Sequence, residues 1–136
     1  SDANPAGNVF GGAILKHIDM VAGIVAQRFS QTNAVTVSMD KISFLKPVFV
    51  GNVLFVKARV NYVQKSSMEI EVNVEAEDIA KGTRVHTGNA YVTFVALDDN
   101  GKPTTVPTLR IDNPEDQKRF DEGKLRMERR LKERKK

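Results

Sequence analysis

The chain reads as an α+β domain: one apolar helix, a run of antiparallel strands, then a second, basic helix. Three observations carry this reading. Apolar residues between Ile14 and Phe29 recur at helical spacing. From Val35 to Leu97 the pattern switches to alternation, as in strands with one face buried and one in water. Asp112-Asn113-Pro114-Glu115-Asp116 then opens a new helix, with a cap, a proline at the first position and acids at the positive end of the dipole. With 136 residues, 40% apolar and 28% charged, the composition fits one globular core. We set the main domain at residues 1–111 and the basic helix at 112–136.

Residues Ser1 to Val9 hold Asn4, Pro5, Gly7 and Asn8, a loop composition. The first helix runs from about Phe10 or Gly11 to Phe29. Ile14, Ile18, Val21, Ala22, Val25 and Phe29 form its main stripe, and Leu15, Ile24, Ala26 and Gly23 fill most of the rest. A helix apolar nearly all round is expected to be buried nearly all round. In the first strand Val35, Val37 and Met39 share one parity while Ile42 and Phe44 take the other, which places a bulge near Asp40–Lys41. Leu54, Val56, Ala58, Val60 and Tyr62 alternate in the second strand. In the third, Met68, Ile70, Val72, Val74 and Ala76 alternate with Glu69, Glu71, Asn73 and Glu75, expected on the wet face. A fourth spans about Arg84 to Leu97, with His86 on the parity of Gly88, Ala90 and Val92. A curved sheet around the first helix is the economical way to bury it. Phe120, Leu125, Met127 and Leu131 make a weak apolar stripe on the last helix.

Composition removes several chemistries. Cysteine is absent, which excludes disulfides, thiolate metal sites and cysteine nucleophiles, and suits a reducing cytoplasm. The two histidines, His17 and His86, lie far apart, so a multi-histidine metal site is not expected. No apolar run is long enough for a membrane span. The formal charge of +4 is concentrated between Lys118 and Lys136, so it describes the tail more than the fold. A nucleic-acid-binding tail is the reading from another class; neither a recognition-helix pattern nor an aromatic-studded basic sheet supports it.

Asp19 is the most informative residue. On a helical wheel it falls among Leu15, Ala22, Gly23 and Ala26, an apolar and small-residue sector where an ionised carboxylate is costly. Either a basic or hydroxyl side chain partners it, or it sits in solvent at a helix edge, or it serves a ligand. Gly23, one turn on, would leave room for that ligand. Gly11 and Gly12 stand at the helix start, where free N–H groups and the dipole favour a developing oxyanion. Lys65, Ser66 and Ser67 form a polar break that could hold phosphates, with Arg84 a weaker candidate; an ordinary hairpin explains the break equally well.

The segment Asp2-Ala3-Asn4-Pro5-Ala6-Gly7-Asn8-Val9-Phe10-Gly11-Gly12, followed by Lys16-His17-Ile18-Asp19, resembles the hotdog-fold acyl-CoA thioesterases of the brain-type hydrolase family and its single-domain bacterial relatives. Thr36-Val37-Ser38-Met39-Asp40, Phe44-Leu45-Lys46-Pro47, Lys65 to Val72 and Arg119 to Lys124 extend the resemblance over nearly the whole chain. It implies a long central helix wrapped by a curved antiparallel sheet, with a strand ahead of the first motif. It implies hydrolysis of acyl-CoA to fatty acid and CoA, with Asp19 as the catalytic carboxylate and Asn4 as its helper across a dimer interface. Backbone N–H groups of Gly11 or Gly12 would stabilise the oxyanion. No cofactor is implied, CoA being part of substrate and product. Homodimers assembling as trimers of dimers, in the cytoplasm, complete the expectation. A non-catalytic acyl-CoA-binding module on the same fold is the nearest alternative.

Overall fold

A computed structural model describes residues 11–44, 48–49 and 51–134. The order is α1 (Gly11–Ser30), β1 (Asn33–Phe44), β2 (Val53–Gln64), β3 (Ser67–Asp78), β4 (Thr83–Leu97) and α2 (Pro114–Arg134). The strands form one sheet in the order β1-β4-β3-β2, antiparallel throughout.

Helix α1 lies on one face of this sheet and contacts all four strands. Ile14, Ile18, Ala22 and Ala26, four residues apart, form the row that disappears into the core. Opposite them stand Met68, Ile70, Val72 and Val74 of β3 and Ala90, Val92 and Phe94 of β4. Burial is narrower than the all-round apolar helix predicts: Met20 remains 56% and Ile24 46% exposed. Among the described residues, nothing covers the side of α1 turned away from the sheet.

The other face of the sheet is only partly wet. Helix α2 packs there, and Glu69 is only 4% exposed. The cap is as expected, Asn113 Oδ1 accepting from Asp116 N at 2.8 Å. The buried stripe is only half as expected: Met127 is buried and Phe120 partly so. Leu125 and Leu131 are exposed, and α2 presents Arg119, Gly123, Arg126 and Arg130, spaced by four, three and four, to the polar row of the strands. Arg126 grips Glu69 with two bonds of 2.9 and 2.7 Å and stacks over the Tyr91 ring at 3.7 Å. Arg119 lies within 3.8 Å of Glu71, and Phe120 meets Tyr62 edge-on. Charge complementarity, which an apolar-stripe search does not see, docks this helix.

Irregularities in three strands correct the simple alternation. A shift between Asp40 and Ser43 matches the expected bulge, but β1 carries a second one between Thr36 and Ser38. Val37 is the extra residue there, so Thr36 pairs with Phe94 on the α1 side while Ser38 pairs with Thr93 on the α2 side. Val35 and Val37 consequently stay exposed and only Met39 joins the core. In β2 the extra residue is Asn61, which sends Tyr62 to the α2 face and Val63 into the core. In β4 a shift at Thr87 pairs His86 with Glu75, leaving His86 exposed and not on the inner parity of Gly88.

Candidate active site

Asp19 sits at the margin of α1, half-buried, where the helix passes over the edge strand β1. The Thr36 hydroxyl donates to its Oδ1 at 2.8 Å. Of the fates open to this carboxylate, it takes the hydroxyl partner and also the helix edge, facing outward. Among the described residues no ion pair involves it, and Thr36 is its hydrogen-bond partner. A carboxylate held by one oxygen keeps lone pairs on the other with which to accept a proton. The bulge at Val37 makes this contact possible: with regular pairing, Thr36 and Ser38 would point the same way.

Gly11 and Gly12 open helix α1, as expected, and no acidic residue stands in its first turn to compete for the free N–H groups. Asp19 lies about two turns further along the same helix, roughly 10–12 Å in rise. Gly23 borders Phe94 instead of open space: a Cβ there would stand 3.7 Å from the ring, in ordinary contact. Asn4 lies outside the described residues.

The four phosphate candidates are not brought together. Lys65, Ser66 and Ser67 close the β2–β3 hairpin, with Ser67 aligned through Val95 to Val35. That is the Thr36 end of the sheet, two strand spacings, or about 10 Å, across. Lys65 adopts a positive φ of 53°, and its carbonyl accepts from Val106 N at 2.8 Å, so its backbone serves the turn while its side chain is exposed. Arg84 pairs with Glu77, ten residues along β3 from Ser67, roughly 30 Å away. Its guanidinium bonds Glu75 at 2.6 Å and covers Phe55 at 3.6 Å. Arg84 and the hairpin therefore cannot hold one phosphate within a single chain. His17 is exposed on α1.

Two residues near the site escaped the sequence reading. Thr36 lay inside a quoted motif without a role, because strict alternation turns it away from α1. Arg130 reaches Ser38, Thr93 at 2.6 Å and Asp40 at 3.1 Å from the opposite face. The spacing of arginines along α2 against Glu69 and Glu71 on one parity of β3 was the available signal for this docking.

One helix laid over an antiparallel sheet is the arrangement of the hotdog class of α+β domains, and here a carboxylate stands at the helix's exposed margin. The chain belongs to the thioesterase superfamily, whose family model matches residues 6–83. It is 41% identical to the rat cytosolic acyl coenzyme A thioester hydrolase over 93% of its own length and 34% of that protein's. It thus spans about a third of that relative. An acyl-CoA hydrolase from Staphylococcus aureus, solved with butyryl coenzyme A and coenzyme A, superposes with a TM-score of 0.89 at 36% identity, covering 98% of this chain and 81% of that one. The hexameric thioesterase of Yersinia pestis gives a TM-score of 0.73 at 36% identity over 79% and 88%. The staphylococcal protein has also been solved with an asparagine, an aspartate or a threonine replaced by alanine. The intervals between those three positions equal those separating Asn4, Asp19 and Thr36 here.

Proposed function

We propose that this domain hydrolyses acyl-CoA thioesters, with Asp19 as general base. The observation that carries the proposal is the Asp19 carboxylate at the margin of α1, oriented by the Thr36 hydroxyl and free to accept a proton on its outer oxygen. Water adds to the thioester carbonyl as Asp19 takes its proton, and the C–S bond then breaks. The products are a carboxylic acid and the CoA thiolate, and the proton held by Asp19 returns to solvent or to sulfur. A thiolate is a good leaving group, so no separate acid is required. Asn4 orients the water or the carbonyl. The N–H groups of Gly11 or Gly12 of a second copy receive the oxyanion, since those of the same chain start about two helical turns from Asp19; such a donor is worth about 3–4 kcal/mol in comparable sites. The reaction so written calls for no metal or redox cofactor. The matching intervals in the staphylococcal variants support the choice of Asn4 and Asp19.

The working unit in this proposal is a homodimer, assembled as a trimer of dimers. Met20 and Ile24 on α1 and Val35 and Val37 on β1 are 56, 46, 40 and 44% exposed, an apolar border around Asp19 and Thr36. A second copy covering it would bring its own Asn4 to the site, and the hexameric Yersinia relative supports the larger assembly. A cytoplasmic setting follows the rat relative's name; among the described residues no helix is long and apolar enough to cross a membrane. Lys65, Ser66 and Ser67 are proposed for the CoA phosphates, being at the site's end of the sheet; Arg84 could serve only a site built with another chain. Arg119 and Arg126 of α2 are engaged with β3 and Arg130 with β1 and β4, which weighs against a nucleic-acid role for that face of the helix.

Release of free thiol from short, medium and long acyl-CoAs tests the proposal. Wild type should turn over at least one class, and Asp19→Asn should lose about 100-fold or more in kcat while remaining folded. A folded, oligomeric wild type that releases no thiol from any of them would leave a binding module as the answer. Mixing Asp19→Asn with Asn4→Ala under exchange conditions should restore part of the activity, as sites shared between chains require.

A further inference from the structure

We infer that Arg130, on the far side of the sheet, is a positioning residue for the site: it holds β1 in the bulged register that aims Thr36 at Asp19. This rests on the function proposed above, but its geometric half does not.

Thr36 and Ser38 flank the extra residue Val37, and the register shift sends them to opposite faces. Thr36 meets Asp19 of α1, and Ser38 meets Arg130 of α2. One guanidinium nitrogen of Arg130 is shared between Ser38 on β1, Thr93 on β4 and Asp40 on β1. It therefore fastens the edge strand to its neighbour, immediately beyond the bulge. β1 needs such a fastening. It is an edge strand, it has a second register shift between Asp40 and Ser43, and Val35 and Val37 do not pack into the core. Little apolar burial selects the register at this point, and a slip of one residue would turn Thr36 away from the helix. Arg130 itself is firmly placed, its side chain 18% exposed, on the α2 face that Arg126 anchors to buried Glu69.

The inference separates Arg130 from a residue that merely adds stability. Arg130→Met should lower kcat about tenfold, the order expected when a reacting group is displaced by a fraction of an ångström, with KM changed less than about twofold. In a Thr36→Val background the same substitution should have little further effect on kcat, because the contact it protects is already gone. Arg130→Lys, which can still reach one hydroxyl, should recover part of the loss. Kinetics are taken per folded protein, from circular dichroism and size-exclusion chromatography. Amide exchange is measured alongside: in Arg130→Met, exchange across Val35–Ser38 should quicken at least about tenfold while β3 is unchanged. Unaltered exchange in β1, or a kcat loss that simply adds to that of Thr36→Val, overturns the inference. Should wild type release no thiol, the catalytic proposal fails, and faster exchange in β1 would still establish the fastening role.

Discussion

Asp19 stands out in the sequence because a carboxylate on an apolar helix must be partnered or useful, and in the structure it is both half-buried and bonded to Thr36. Thr36→Val keeps the shape and removes the donor, so kcat should fall about tenfold with little change in stability, since the contact is exposed. A single turnover in water carrying heavy oxygen distinguishes the two roles open to Asp19. A general base never acquires label, so label found in the Asp19 carboxylate would identify a mixed anhydride opened by water at its aspartyl carbon. The glycines make a second residue-scale pair. Gly23→Ala should stabilise the protein by about 0.5–1 kcal/mol, because the new methyl meets Phe94 at 3.7 Å and the helix gains a better former. Asp19 was legible because its chemistry contradicts its neighbours; Thr36 was not, because nothing in Val35-Thr36-Val37-Ser38 announces an extra residue in the pairing.

Elements were easier to find than to orient. The bounds of α1 and α2 follow from periodicity and from the Asn113 cap, and all four strands from alternation. The buried face of α2 followed only in part: Met127 and Phe120 of the apolar stripe do turn to the sheet, but arginines paired with carboxylates make up the rest of the docked face. Gly123 marks the closest approach of α2 to the sheet: a Cβ there would lie 2.8 Å from Tyr62 Cβ and 3.0 Å from Glu69 Oε1. Gly123→Ala should therefore destabilise by about 1–3 kcal/mol in denaturant unfolding, despite the better helix propensity of alanine. Glu69→Gln leaves the Arg126 guanidinium nearly buried without its counter-charge and should cost about 3 kcal/mol. Replacing Glu69 and Arg126 together with leucine and methionine should cost much less, a comparison that isolates charge from packing.

At the scale of the whole molecule, one sheet carries two unlike interfaces, apolar under α1 and ionic and aromatic under α2. Burial, and then the Glu128 carboxylate, push the Tyr62 phenol above its usual 10.0. Burial and then Glu71 do the same for Tyr91, against the opposing pull of Arg126. The folded state thus holds these protons more tightly than the unfolded chain, so the stability they lend is whole below pH 10.0 and is lost as pH rises past it. Thermal melts followed from neutral pH upward should show a fall beginning near pH 10, and Tyr62→Phe should shrink it. The apolar border around Asp19 belongs to this scale too: Ile24→Asp should shift sedimentation toward monomers and remove activity together. The fold class was legible because helical and alternating periods are properties of long segments, whereas the expected assembly came from the family resemblance alone, since periodicity does not say which apolar side chains a second copy would cover. The extra residue at Val37 also bears on protein engineering. A library that numbers β1 by strict alternation would vary Val35 as interior and leave Thr36 as surface, randomising the wrong half of the strand before any selection began.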